Sequence, residues 1–247
     1  MPDYDTSFFD YVNSGALSSA RQVLPEILRL VPVKSVLDVG CGQGAWLSVW
    51  KELGVTDLQG IDGDYVERSR LLIDPEAFRA MDLCASFDLG RKYDVVQSLE
   101  VGEHLPESRA DDFVASLIRH GEIIVFSAAP PGQGGDHHIN EQPYEYWRKK
   151  FESNGYLPLD CVRPQIADSQ QVEPWYRYNT FVYVSGDALA TLPQELAAMA
   201  IPTEDALIDI SPLSYRLRKR VVRLLPVAVA TRVAKVKERL IARARGA

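Results

Sequence analysis

Short apolar stretches alternate with amphipathic segments from the N-terminus to about residue 187. Residues 17–31 place apolar side chains at helical spacing, which predicts an amphipathic helix. Further helices are predicted over residues 44–53, 64–72, 108–119 and 144–153. Apolar stretches predict seven strands, over residues 33–40, 58–62, 77–83, 93–101, 122–128, 156–162 and 180–185. Because the early strands are apolar throughout, we predict an α/β fold with a parallel sheet covered by helices on both faces.

The strand pattern gives way to helical segments in the last quarter of the chain. We predict one domain over residues 1–186 and a helical C-terminal extension over residues 187–247, with helices at 213–225 and 228–245. Residues 216–247 carry 11 Lys/Arg and one acidic residue, so this tail is +10 in a chain of net charge -7. Such a basic amphipathic tail can lie on an anionic membrane, pack on the acidic body or join a second copy of the chain.

Composition narrows the class of protein. A pI near 5.2 argues against a nucleic-acid binder. Three scattered cysteines provide neither a disulfide scaffold nor a zinc motif. The N-terminal residues lack the apolar core of a signal peptide, and no apolar stretch is long enough to cross a bilayer. We therefore predict a cytoplasmic protein, at the membrane periphery if the tail binds lipid.

A glycine-rich turn follows the first predicted strand and opens a helix. It runs Asp38-Val39-Gly40-Cys41-Gly42-Gln43-Gly44, and glycines allow the backbone to approach a ligand closely. Gly40, Gly42 and Ala45 also fit the dinucleotide-binding pattern of a nicotinamide-dependent dehydrogenase. The carboxylate of Asp38 disfavours that hypothesis, because it would repel a pyrophosphate and suits a cationic group.

Two more acidic residues follow the next two strands. Asp62 ends the second predicted strand and suits bidentate hydrogen bonding to ribose hydroxyls. Asp82, with Leu83 after it, ends the third and suits the amine and ring nitrogen of adenine. Together with Asp38 they fit an adenosine whose far end is a charged amino acid, which describes S-adenosylmethionine.

On these residues the chain resembles the class I S-adenosylmethionine-dependent methyltransferases over residues 8–185. The residues that match cofactor-binding motifs of that family are Asp38, Gly40, Gly42, Gly44, Asp62, Asp82 and Leu83. The segment SLEVGEHL (98–105) resembles the motif after the fourth strand, where Glu100 would line the cofactor pocket. The resemblance implies a Rossmann-like, seven-stranded, mostly parallel sheet whose last strand is antiparallel.

The loop after the fifth predicted strand narrows the resemblance to a bacterial subgroup linked to sugar and polysaccharide methylation. That subgroup carries G-G-x-x-H-x-N-E-Q, which is matched here by Gly134, Gly135, His138, Asn140, Glu141 and Gln142. Two positions depart from it, since Pro143-Tyr144 and Ala167 replace a Trp-Pro pair and a Trp. The resemblance therefore implies O-methylation of a sugar, oligosaccharide or glycosylated metabolite. The two departures lie where an acceptor would bind, so they concern the identity of the acceptor rather than the reaction.

Methyl transfer to a hydroxyl needs an aligned acceptor and a base, for which histidine is suited near neutral pH. We predict His138 as the base and His104 as the alternative, with Glu103 orienting whichever acts. His120, at the end of a predicted helix, is interpreted as a surface or capping residue. The loop also offers carboxylate oxygens near His138, which are ligands that Mg²⁺ prefers. A Mg²⁺ site therefore stays an alternative, with these candidate ligands: Asp136, His137, His138 and Glu141.

Candidate acceptor-binding residues combine flat aromatic faces with polar groups. They are Gln142, Tyr146, Trp175, Tyr176 and Arg177. Packing between helix and sheet is the alternative for Tyr146. Near the N-terminus, four side chains could close over the cofactor or cap the first helix: Tyr11, Ser14, Ser18 and Ser19.

Three alternatives to the sugar O-methyltransferase stay open on sequence alone. The first is a methyltransferase for oxygen or nitrogen of a small molecule that is not a sugar. The second is a non-catalytic cofactor-binding module that serves a partner. The third is the dehydrogenase considered above, which binding of NAD would reveal.

Overall fold

Seven strands form one sheet in the computed structural model, which describes residues 6–225 and their side chains from residue 13. In chain order the strands are β1 (Ser35–Val39), β2 (Asp57–Asp62), β3 (Phe78–Ala80), β4 (Val95–Leu99), β5 (Ile123–Ser127), β6 (Tyr156–Leu159) and β7 (Phe181–Ser185). Their spatial order is β3-β2-β1-β4-β5-β7-β6, with β7 antiparallel to both of its neighbours. All seven predicted strands and the antiparallel last strand are confirmed.

Helices cover both faces of the sheet. They are α1 (Thr6–Leu30), α2 (Ala45–Glu52), α3 (Ala110–Arg119), α4 (Tyr144–Glu152), α5 (Arg163–Ile166), α6 (Pro174–Asn179), α7 (Gly186–Leu189), α8 (Gln194–Ala197) and α9 (Leu213–Arg223). One core cluster buries apolar residues of α1 and α2 against one face, and the other buries those of α3 and α4 against the opposite face. Because β1 and β4 are fully buried, their apolar sequences are explained by this double cover.

Two expectations for this part of the chain are wrong. The predicted helix over 64–72 is only a 3₁₀ turn, Arg68–Arg70. The amide of Leu72 donates to the carbonyl of Gln43 (2.8 Å), and Ile73 packs against Gly44, so contacts with the glycine turn determine this segment's conformation. The surface position considered for His120 is wrong, because this residue is buried with its Nδ1 2.6 Å from the carbonyl of Ser116, whereas the capping alternative is confirmed, since His120 is the C-cap residue of α3.

Two buried arginines attach the segment after α8 to the sheet domain. Arg148 of α4 donates to the carbonyls of Ile201, Pro202 and Asp205. Arg163 pairs with Asp160 (2.6 Å) and donates to the carbonyl of Ile208 (3.0 Å). Charge-assisted hydrogen bonds therefore hold residues 201–208 against the sheet domain. The domain boundary at residue 186 stays a prediction.

Helix α9 confirms the first of the two predicted C-terminal helices; the second, over 228–245, lies outside the described residues. The exposed apolar side chains of α9 and its C-cap residue recur at helical spacing along one face: Leu213, Leu217, Val221 and Leu224. Membrane contact or self-association through this helix stays a prediction. Among residues 6–225, no helix combines the length and apolarity needed to cross a bilayer.

Lys219 anchors the inner face of α9. Its ammonium is 2.6 Å from Asp209, and its side chain is only 8% exposed. Burial raises the pKa of Asp209, but the hydrogen bonds from Lys219 and Ser211 outweigh burial and leave this pKa below its usual value. This pair therefore stabilises the fold above the usual carboxyl pKa, and the contribution is lost as the pH falls through the lowered value.

We expect Lys219→Met to lower the free energy of unfolding by about 1–3 kcal/mol at neutral pH. The difference from wild type should shrink at acid pH, as the pH falls below the ordinary carboxyl pKa of 3.8 and through the lowered pKa of Asp209. Urea unfolding at both pH values measures it, and Lys149→Met, an exposed lysine on α4, is the matched control. An unchanged free energy at neutral pH would contradict the anchoring role.

Candidate active site

The glycine turn joins β1 to α2 at the carboxyl edge of the sheet. Gly40, Gly42 and Gly44 have φ values of 82°, 53° and 83°, in the region that favours glycine. A Cβ on Gly40 would collide with Val101, which follows β4, whereas a Cβ on Gly42 would face open space. The turn is therefore tight on its inner side and leaves room for a ligand beside Gly42.

Asp38 lies at the base of this turn and is 3% exposed. Its Oδ2 has no hydrogen-bond partner among the described residues. Burial, with a smaller contribution from the nearby Asp62, raises the pKa of Asp38 to about 8. A buried carboxylate with a free oxygen is an acceptor for a cationic ligand group.

Asp62, at the end of β2, connects the second strand to the glycine turn. Its Oδ2 accepts from the amide of Gly42 (2.7 Å), and its Oδ1 accepts from the amide of Gly63 (2.7 Å) and the hydroxyl of Tyr65. Burial raises the pKa of Asp62. The carboxylate is thus fixed in the place where hydroxyl groups of a ligand beside Gly42 would meet it.

Asp82 and Leu83 follow β3 at the same edge of the sheet. The Oδ1 of Asp82 accepts from the amide of Cys84 (2.9 Å), which fixes this exposed carboxylate by a local turn. Leu83 is buried in the core cluster that contains α3. Asp38 and Asp62 therefore lie at the carboxyl ends of β1 and β2, and Asp82 lies just after β3, next to the strands that the sequence assigned to them.

Glu100 follows β4 with a φ of 57°, which is uncommon for a residue other than glycine. Its carboxylate accepts from the side-chain amides of Gln133 and Asn179, and Asn179 also donates to Gln133 (2.7 Å). Burial raises the pKa of Glu100. Gln133 and Asn179 are not among the residues predicted from the sequence, since they lie in a loop and at the end of α6.

Glu103 is completely buried three residues further on. Neither carboxylate oxygen has a hydrogen-bond partner among the described residues. Its backbone carbonyl accepts from the amides of Ile139 (2.9 Å) and Asn140 (3.0 Å), which ties this segment to the loop after β5. Burial and the adjacent Glu100 raise the pKa of Glu103 well above its usual value.

Glu141 organises the loop that carries His138. Its two oxygens accept from the amides of Gly132 and Gly134, each at 2.7 Å, and Oε1 is 2.9 Å from His138 Nδ1. Burial raises the pKa of Glu141, but these three hydrogen bonds outweigh it and leave the pKa below its usual value. His138 is therefore oriented by a carboxylate, an arrangement that keeps its Nε2 free.

His104 and His138 meet edge to face, with ring centroids 4.9 Å apart. His104 Nδ1 is 3.3 Å from the carbonyl of His137. Although His104 reaches the surface, desolvation at its ring lowers its pKa, and the neighbouring His138 lowers it further. Glu103, His104 and His138 each place one ligand atom within 4.8 Å of the others, so the three predicted catalytic residues form one cluster.

The predicted Mg²⁺ group is arranged differently. His138 contacts Glu141 directly, while the exposed His137 lies 3.7 Å from the carboxylate of Asp136. Within the described part of the chain, the group with metal-binding spacing is the cluster of Glu103, His104 and His138 instead.

The predicted acceptor-binding residues lie in two places. Gln142 and Tyr146 line a surface groove beside Lys150, whose ammonium is 4.5 Å from the Tyr146 ring centroid. Tyr176 is buried edge to face against Trp46 at 5.0 Å, with Trp175 packed beside it. Arg177 is buried and donates to the carbonyl of Val172. Acceptor binding by these five residues stays a prediction.

Helix α1 lies beside the glycine turn. The side-chain amide of Asn13 donates to Gln43 of that turn (2.6 Å). Ser18 and Ser19 lie inside the helix, so the suggestion that one of them caps it is wrong. The hydroxyl of Ser18 donates to the carbonyl of Gln171, and that of Ser19 accepts from the amide of Glu173. Ser14 is exposed, and the side chain of Tyr11 lies outside the described residues.

The strand order, the glycine turn and the carboxylates at the strand ends define a class I S-adenosylmethionine-dependent methyltransferase. The family described as "Methyltransferase domain" matches residues 14–163, more than half of the chain, and the chain belongs to it. No curated protein sequence matches the chain.

Solved structures of methyltransferases share this fold. The sugar N-methyltransferase KedS8 from Streptoalloteichus sp ATCC 53650 has 19% identity and a TM-score of 0.57, over 75% of this chain and 95% of its own. Streptomyces venezuelae DesVI has 19% identity and a TM-score of 0.55, over 75% and 100%. Magnesium protoporphyrin IX methyltransferase from Synechocystis PCC 6803 with bound S-adenosylmethionine has 19% identity and a TM-score of 0.51, over 75% and 87%.

The residues present fit S-adenosylmethionine. The free buried oxygen of Asp38 suits the cationic amino-acid end, and the space beside Gly42 admits the ligand. Asp62 suits the ribose hydroxyls. When bound, the cofactor supplies an activated methyl group, and the chain's part is to bind it and to align it with an acceptor.

Proposed function

We propose that this protein transfers a methyl group from S-adenosylmethionine to a hydroxyl group of a sugar, an oligosaccharide or a glycosylated metabolite. One observation carries the proposal: the loop residues His138 and Glu141 are hydrogen bonded to each other (2.9 Å) next to His104 and Glu103. This cluster follows β4 and β5, at the same edge of the sheet as the glycine turn. The resemblance of the loop to a sugar-linked subgroup supports a carbohydrate acceptor.

The proposed base is Nε2 of His138. Because Nδ1 is engaged by Glu141, Nε2 is the nitrogen left to take the hydroxyl proton as the acceptor oxygen attacks the methyl carbon. The C–O bond forms while the C–S bond breaks, and the proton passes to the imidazole. His104 is the second candidate base; the low pKa of its ring keeps it neutral at pH 7 but makes it a weaker proton acceptor than an ordinary imidazole.

Calorimetric titration with S-adenosylhomocysteine tests the cofactor half of the proposal. We expect saturable binding at one site per chain and no binding of NAD in the parallel titration. The folded sample must first be shown free of copurified cofactor. Binding of NAD alone would support the dehydrogenase alternative and overturn the proposal.

The acceptor half is tested with a panel of acceptors and methyl-labelled S-adenosylmethionine. Sugars and glycosylated compounds are compared with an amino sugar and with hydroxylated aromatic compounds that carry no sugar. Methylation of sugar hydroxyls is the expected outcome. Transfer only to the amino sugar would replace oxygen by nitrogen as the acceptor atom, and transfer only to the aromatic compounds would favour the small-molecule alternative.

A further inference from the structure

The cluster of Glu103, His104 and His138 has the donor set of a transition-metal site. Two imidazoles and one carboxylate suit Zn²⁺, Mn²⁺, Fe²⁺ or Co²⁺, whereas Mg²⁺ prefers oxygen ligands. The three ligand atoms lie within 4.8 Å of one another. Ligands around such an ion lie about 3–4 Å apart, because metal–ligand bonds are about 2.0–2.2 Å long. Small side-chain movements would therefore complete the site.

The carboxylate of Glu103 is an independent sign of a cation. Its side chain is 0% exposed, and both of its oxygens lack hydrogen-bond partners among the described residues. Burying a carboxylate without a partner is costly, and a bound cation would offset that cost. Glu100, on the same segment, has its oxygens bonded to Gln133 and Asn179 and needs no such partner.

Both imidazoles have Nδ1 facing an oxygen atom of a neighbouring residue. His104 Nδ1 faces the carbonyl of His137, which can only accept, so this nitrogen carries the hydrogen. His138 Nδ1 faces Glu141, whose oxygens also accept from two backbone amides. The Nε2 atoms therefore keep their lone pairs. Such outer hydrogen bonds from Nδ1 to oxygen orient metal-binding histidines in proteins.

We propose that Glu103, His104 and His138 bind one divalent transition-metal ion that activates the acceptor hydroxyl. The inference rests on the proposed function and changes the role of its base. A hydroxyl bound to the ion has a lowered pKa and loses its proton to solvent as the C–O bond forms and the sulfonium C–S bond breaks. With the ion bound, His138 is a ligand, and the base role applies only to a metal-free enzyme.

Titration of the full-length protein, stripped with a chelator and dialysed, tests the site. Co²⁺ is added while its visible absorption is recorded, and Zn²⁺, Mn²⁺ and Mg²⁺ are titrated by calorimetry. We expect one ion per chain and at least tenfold weaker binding in Glu103→Gln and in His104→Ala. His137→Asn is the matched control, because His137 is exposed and lies outside the cluster. Asn also tolerates its φ of 56°.

Three results would count against the metal site or its donor set. No Co²⁺ absorption and no heat would overturn the inference, as would equal binding by wild type and both cluster variants, which indicates an adventitious ion. Tight binding of Mg²⁺ with weaker binding of Zn²⁺ and Mn²⁺ would contradict the donor-set argument. Because His104 is exposed, its variant is expected to fold even if Glu103→Gln does not.

A parallel titration of the stripped protein with S-adenosylhomocysteine separates the two proposals. Cofactor binding without metal binding overturns the metal site and leaves the methyltransferase with a histidine base. Metal binding without cofactor binding, in a folded sample, overturns the proposed function.

Discussion

Asp38→Asn is expected to weaken S-adenosylhomocysteine binding by a hundredfold or more while stabilising the cofactor-free protein. The free Oδ2 of Asp38 is the buried oxygen that we propose pairs with the cationic end of the cofactor, and leaving a buried charge unpaired costs about 3–5 kcal/mol. Asn keeps the shape but provides no charge. Calorimetry at neutral pH measures the affinity.

The gain in stability follows from the sign of the pKa shift. Burial raises the pKa of Asp38 from its ordinary 3.8 to about 8, so the folded protein holds a proton that the unfolded chain has lost between these values. The free energy of unfolding of the wild type therefore falls as the pH rises through this window. Asn has no proton to lose, so the variant should have the higher melting temperature near about pH 8 and the smaller difference near about pH 4.

Cofactor affinity should follow the same titration. Below about pH 8 the free protein must release the Asp38 proton to bind a cation, so affinity should rise up to about tenfold per pH unit on approaching that value. Asp57→Asn is the control, because Asp57 lies at the other end of β2 and forms an exposed pair with Arg91. A variant at position 38 that binds like wild type would refute the role of Asp38.

The cofactor half of the site could be predicted because its chemistry is local in sequence. Asp38, Asp62 and Asp82 each lie at or just after the carboxyl end of a strand, and parallel strands bring these ends to one edge of the sheet whatever the details of packing. The prediction of a helix over 64–72 is wrong because local periodicity cannot indicate the hydrogen bond from the amide of Leu72 to Gln43 in the glycine turn.

The other half depends on contacts between distant parts of the chain. Glu100 and Asn179 are 79 residues apart, and no local pattern indicates that they meet. The spacing of Glu103 and His104 predicted a role in orienting a base, but not that the carboxylate would be buried without a partner beside His138. Burial, unlike residue type, is set by the tertiary fold, which is why the metal-binding geometry emerged only from the structure.

His138→Ala is expected to lower turnover by about 10²–10⁴-fold and to leave the affinity for S-adenosylhomocysteine within twofold of wild type. The loss follows whether Nε2 takes the proton or holds an ion, because both roles use the same nitrogen. Asp38 and Asp62, the proposed cofactor-binding carboxylates, lie on β1 and β2, whereas His138 lies in the loop after β5. Steady-state kinetics with a methylated acceptor and calorimetry measure the two effects.

Glu141→Gln separates orientation from chemistry at this position. An amide cannot accept from Gly132, Gly134 and His138 together, because one of its two polar atoms is a donor. We therefore expect turnover to fall about 10–100-fold although His138 is still present, which is the usual effect of losing a carboxylate that orients a functional histidine. His137→Asn should keep wild-type turnover. If His138→Ala turned over normally, both the base and the metal-ligand roles of His138 would be removed, since neither survives without its imidazole.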